Sequence, residues 1–109
     1  MSREEILRLI KDIIFEVAKK YGVEIDRVIL FGSRARGDFR EDSDWDILVI
    51  TKNKLDKTTK LSFISKVIES LLDYDIDSEI IVVSSKYYNR FKHVYGDISG
   101  IATFEGVML

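Results

Sequence analysis

The sequence predicts an α/β protein, with helices packed on a small sheet. Two observations carry that expectation. Short apolar runs, Val28–Phe31, Trp45–Ile50 and Ile80–Val83, alternate along the chain with stretches whose apolar residues repeat at helical spacing. Strands that alternate with helices bury their faces against one another in layers. Only three such runs occur in 109 residues, so the sheet is small.

Taken in order, Ser2 and Glu5 form a capping-box pair that satisfies free amides at a helix start. Ile6, Leu9, Ile10, Ile13, Ile14 and Val17 then fall on one helical face. Lys19 and Lys20 suit the C-terminal dipole, and Gly22 is a left-handed stop. The first strand, Val28–Phe31, ends at Gly32-Ser33, and an arginine-rich polar segment containing Gly37 leads to the second, Trp45–Ile50. Asp56 caps the next helix, whose apolar stripe is Leu61, Ile64, Val67, Ile68, Leu71 and Leu72. Asp77 and Glu79 stand on the approach to the third strand, Ile80–Val83. Helices over residues 85–93 and 98–105 follow, the latter stopped by Gly106.

No repeat, low-complexity stretch or linker interrupts residues 1–109, so one domain is expected. The 46% apolar and 33% charged content is that of a folded chain rather than a disordered one. No apolar run approaches the ~20 residues of a membrane span, and the first helix is too charged for a signal peptide. A cytoplasmic location and no membrane partner are expected. The absence of cysteine excludes a disulfide framework, a zinc knuckle and thiol catalysis. With a net charge of −2, any phosphate binding is local and no bulk nucleic-acid coating is expected. One histidine leaves little material for a Ser-His-Asp triad and none for a His-rich metal site.

The informative stretch is Phe31–Val49, FGSRARGDFREDSDWDILV. Asp44 and Asp46 are two apart at a strand mouth, so the period of two sends both carboxylates to one face and Trp45 to the other. Two carboxylates about 6–7 Å apart repel by roughly 2–3 kcal/mol at an effective dielectric near 20. Divalent cations reverse the sign of that repulsion, and Mg²⁺ is the hard ion that oxygen ligands prefer. A solvated strand end is the alternative for this common pattern. Gly32 lets backbone approach a ligand closely, and Ser33 can begin a short helix whose amides point outward to an anion; a tight turn with an N-cap serine is the alternative there. Arg34, Arg36 and Arg40 follow in one loop. They are either surface charge or local cations that complete a site for a nucleoside triphosphate.

Gly32-Ser33-Arg34-Ala35-Arg36-Gly37 followed by Ser43-Asp44-Trp45-Asp46-Ile47 resembles the signature of the minimal nucleotidyltransferases of the DNA polymerase β superfamily. The resemblance spans most of the chain, down to a Glu-Gly-hydrophobic ending within residues 101–109. It implies a small mixed sheet of the polymerase β type and a reaction using ATP and two Mg²⁺ ions. Asp44 and Asp46 match the metal ligands, Gly32 and Ser33 the phosphate loop, and Arg34 and Arg36 would steady the pyrophosphate end. A third carboxylate, usually Asp, stands before a neighbouring aliphatic strand; here Glu79 occupies that place, with Asp77 as the alternative. Strand register favours Glu79, and its extra methylene bears on turnover more than on triphosphate binding.

The resemblance further implies a partner. Minimal nucleotidyltransferases of this kind pair with a HEPN-domain toxin as antitoxin, transferring AMP to a tyrosine of that toxin. Ligand sites favour interfaces, so a second polypeptide is expected to supply the other wall, and a homo- or hetero-oligomer is open. His93-Val94-Tyr95 is like part of the HEPN nuclease motif, but Tyr88 stands where that motif needs Arg, so the chain is not itself such a nuclease. His93 reads as a surface residue, and Lys52 and Lys54 as a solvated loop. Tyr87, Tyr88 and Phe91 read either as a sticky helical face or as core. Two rival functions stay open: a non-catalytic antitoxin that acts by occlusion, and a nucleotidyltransferase acting on RNA or a small molecule.

Overall fold

A computed structural model describes residues 1–109. Helix α1 spans Arg3–Tyr21; Ser2 caps it through the reciprocal bonds with Glu5, and Gly22 ends it at φ 66°. Strand β1 (Ile25–Phe31) leads through Gly32 into the single turn α2 (Ser33–Arg36). After a loop come β2 (Trp45–Thr51), α3 (Lys57–Leu72), β3 (Ser78–Ser84), α4 (Ser85–Phe91), α5 (Ile98–Glu105) and the two-residue β4 (Val107–Met108).

The four strands form one mixed sheet in the order β3-β2-β1-β4. β2 runs parallel to β3, while β1 pairs antiparallel with both β2 and β4. A helix crossover joins the parallel pair, as such pairs require. Alternation along β1 and β2 feeds two apolar layers. Val28, Leu30, Trp45, Ile47 and Val49 face α1 and α3. Ile29, Phe31, Leu48 and Ile50 face Tyr88 of α4 and Ala102 of α5. Trp45 is thus buried in the packing layer, as its alternation with the acidic residues predicts.

Two expectations need correction. β4 is a fourth strand that the sequence reading lacked; its two apolar but exposed residues are too few to show an alternation and gain their strand character by pairing with Ile29 and Leu30. The stripe of α3 is also rotated. Phe63, Val67 and Leu71 are fully buried, whereas Leu61 and Leu72 are exposed, because apolar residues occupy so wide an arc that spacing alone does not fix its centre. The aromatics of α4 divide between both readings. Tyr88 is core, bonded through its hydroxyl to Thr103, while Tyr87 lies outside and packs on Phe91 at 4.6 Å. His93, Lys52 and Lys54 are exposed. No helix is long and apolar enough to cross a membrane.

Candidate active site

The chain leaves β1 by a bend that only glycine accepts. Gly32 sits at φ 74°, ψ −163°, and a Cβ there would overlap Asp46 Oδ2 and come within 3.0 Å of Asp46 Cγ. This close approach follows from register: Phe31 is the antiparallel partner of Asp46, so the next residue passes directly over the Asp46 carboxylate. The peptide then turns into α2, with Ala35 and Arg36 amides bonded to Gly32 O at 3.0 Å and Gly37, at φ 94°, closing the turn onto Ser33 O. The first amides of such a turn have no partner within it.

Asp46 is also the parallel partner of Glu79. One row across the sheet therefore carries Phe31, Asp46 and Glu79. Asp46 and Glu79 share the face of Leu48, Ile50, Ile81 and Val83, by the period of two. Asp46 is half-buried, and its pKa is pushed up to about 6, first by burial and then by the Glu79 carboxylate, with Asp44 adding and Arg36 opposing. Asp44 is exposed just before β2. Asp77 lies before β3, where its carbonyl accepts from the Trp45 amide at 2.9 Å. Register thus brings Glu79, rather than Asp77, opposite Asp46.

The arginines differ in their engagements. Arg34 donates to Ser43 O at 3.0 and 3.2 Å and to Glu41 O at 3.1 Å. Its guanidinium lies 4.5 Å from the Phe39 ring and 4.7 Å from that of Trp45. It is engaged in fastening the loop that carries Asp44. Arg36 pairs with Glu105 Oε2 at 2.7 Å and with Asp38 at 3.3 Å. Glu105 Oε1 in turn accepts from the Gly32 amide at 3.3 Å. Sequence reasoning missed Glu105 as a site residue; the only signal was its place before Gly106 in the Glu-Gly-hydrophobic ending.

Whether these groups suit a divalent cation rests on donor chemistry. Asp46 and Glu79 are hard oxygen donors side by side, in a mutual repulsion that a cation relieves. They fit such an ion as a pair. The set is not a closed cage, since no three acidic or imidazole side chains are drawn together to hold an ion.

A cavity of about 560 Å³ adjoins this region, lined by Arg36, Tyr95, Ile101, Phe104 and Glu105. Another, of about 430 Å³, lies at the opposite ends of β2 and β3, where Thr51, Val83 and Ser84 meet Lys54 and Lys60. It contains none of the acidic residues. The site therefore sits at the N-terminal ends of the parallel pair, unlike the carboxyl-end crevices of open parallel sheets.

A glycine turn laid over an aspartate of the next strand, itself paired with a second carboxylate, suits phosphate-transfer chemistry on nucleotides. The family profile described as "Polymerase beta, Nucleotidyltransferase" matches residues 12–98. The chain belongs to that family. Among curated relatives, "Putative protein adenylyltransferase MJ0141" of Methanocaldococcus jannaschii is 39% identical over 72 residues, covering 66% of this chain and 73% of that one. A crystal structure described as a "putative nucleotidyltransferase from Sulfolobus solfataricus" is similar at a TM-score of 0.59 and 26% identity, over 96% of this chain and 82% of its own. The fold is also similar to that of one chain in the complex of a tri-AMPylated Shewanella oneidensis HEPN toxin with MNT antitoxin, at a TM-score of 0.53 and 19% identity over 93% of this chain and 69% of that one.

Proposed function

We propose that this chain transfers AMP from ATP to a protein hydroxyl, and that the acceptor is a tyrosine of a HEPN-domain toxin which it thereby silences. The observation that carries this reading is the placement of Asp46 against Gly32 on one side and Glu79 on the other. Such a row holds a triphosphate and the attacking oxygen within one small volume.

In this reading Gly32 and Ser33 receive the β and γ phosphates at the turn, and Arg36 neutralises the pyrophosphate end. Asp44 and Asp46 would hold two Mg²⁺ ions, with Glu79 as third ligand or base. Bound there, the ions would supply Lewis acidity that lowers the acceptor hydroxyl's pKa and neutralises the leaving oxygens. The acceptor oxygen forms a bond to the α-phosphorus, the bond from that phosphorus to the bridging oxygen breaks, and pyrophosphate leaves. The hydroxyl proton passes to a carboxylate and then to water. Arg34 serves by fastening the loop that presents Asp44. Similarity to protein adenylyltransferases supports the adenylyl donor and the protein acceptor.

The second reading, occlusion without catalysis, is favoured by one feature: Glu79 adds a methylene where the family usually has Asp. Incubation with α-³²P-labelled ATP, Mg²⁺ and the HEPN protein separates the two. Label on the partner that vanishes in Asp44→Asn/Asp46→Asn is the expected result. Neutralisation that survives those substitutions without label overturns it, and label on RNA instead moves the acceptor to nucleic acid.

A further inference from the structure

Glu105 closes α5 and reaches the turn that follows β1. Its Oε1 accepts from the Gly32 amide at 3.3 Å, and its Oε2 pairs with Arg36 Nη1 at 2.7 Å. Only 16% of its side chain is exposed. A carboxylate so shielded depends on its donors, and these two are what it has. Its backbone is fixed as well. A Cβ on the following Gly106 would overlap Ala102 O and Ile29 Cγ2, so α5 ends hard against β1. Beyond it, β4 pairs with Ile29 and Leu30, and the Leu109 amide donates to Val28 O at 2.9 Å.

Resting on the nucleotidyltransferase reading, the geometry points to Glu105 as a positioning residue for the triphosphate. It seats the Gly32 peptide and aims the Arg36 guanidinium at the turn, without touching substrate itself. Both of its targets need holding. Gly32 occupies backbone space open to glycine alone, and glycine has the most freedom to leave it. Arg36 is 46% exposed and is drawn outward by the more exposed Asp38 at 3.3 Å. The shorter, better-shielded bond to Glu105 keeps it over the site, since exposed pairs contribute little. The end of α5 thus bears on catalysis through one carboxylate.

The test measures ATP KM and kcat for AMP transfer, and the Kd of Mg²⁺-α,β-methylene-ATP, on the full chain. Its variants are Glu105→Ala, Glu105→Gln, Arg36→Ala and the double Glu105→Ala/Arg36→Ala. Gln keeps an acceptor for the Gly32 amide and loses the ion pair. We expect Glu105→Ala to raise KM and Kd about tenfold with kcat within about threefold, and Glu105→Gln to fall between. In the Arg36→Ala background most of that effect should disappear, because the two side chains act as a unit. A wild-type KM in Glu105→Ala, a lowered KM, or full additivity with Arg36→Ala overturns the proposal. Should Glu105→Ala fail to fold, the near-isosteric Glu105→Gln decides by whether its KM rises at least about threefold. A wild-type chain that neither binds nor transfers would sink the nucleotide reading itself, an outcome visible in the unmutated arm alone.

Discussion

Asp46 and Glu79 stand opposite each other across the parallel β2–β3 pair, and Glu79 helps burial hold Asp46 at a pKa of about 6. The folded chain therefore binds a proton there more tightly than the unfolded chain, whose aspartate titrates near 3.8. The resulting stability is fully present below the unfolded value and is lost as pH rises through about 6. Glu5, Asp56 and Asp97 are lowered by their hydrogen bonds and act in the opposite sense, losing stability as pH falls.

Comparison with Asp46→Asn isolates that residue. In the metal-free protein, the variant's melting temperature relative to wild type should climb between about pH 4 and 6 and level off above. At pH 7.5 it should melt a few degrees higher than wild type, having lost a repulsive charge, while transferring no AMP. Scanning calorimetry across pH checks this; a difference that is flat with pH contradicts it.

Gly32→Ala tests the close approach. The strained backbone costs about 1–3 kcal/mol, and the added methyl displaces the Asp46 carboxylate it would overlap. Nucleotide binding should be lost together with that stability, measured by urea unfolding and calorimetric titration. Gly37→Ala is the control, because it is strained at φ 94° but has nothing within 4 Å of a Cβ. It should cost stability and retain binding.

Arg34→Ala tests whether that guanidinium fastens the loop. It should destabilise by about 1–2 kcal/mol through lost hydrogen bonds and ring contacts. Trp45, the only tryptophan, should report the change as a shifted and altered emission, since Arg34 lies over its ring. Unchanged emission and stability would assign Arg34 to solvent or substrate instead.

What was legible in the sequence was local. The α1 cap and stop, and the 98–105 helix, are set by residues a few positions apart, and the structure has them as read. Gly32, Asp46 and Glu79 stood out by residue type and motif, but the register that stacks them needs two long-range strand pairings. β4 and Glu105 were invisible for the same reason. Val107 and Met108 are exposed, and Glu105 meets Gly32 across 73 residues of chain. Arg34 and Arg36 look alike as neighbours in a loop, yet one binds carbonyls and rings while the other faces carboxylates.

The most direct test of the account is calorimetric titration of Mg²⁺-α,β-methylene-ATP into the wild-type chain, Asp46→Asn and Glu79→Gln. Wild type should show saturable one-to-one binding that requires Mg²⁺ and weakens at least about tenfold in each variant. Equal binding by all three, or none by wild type, would contradict it.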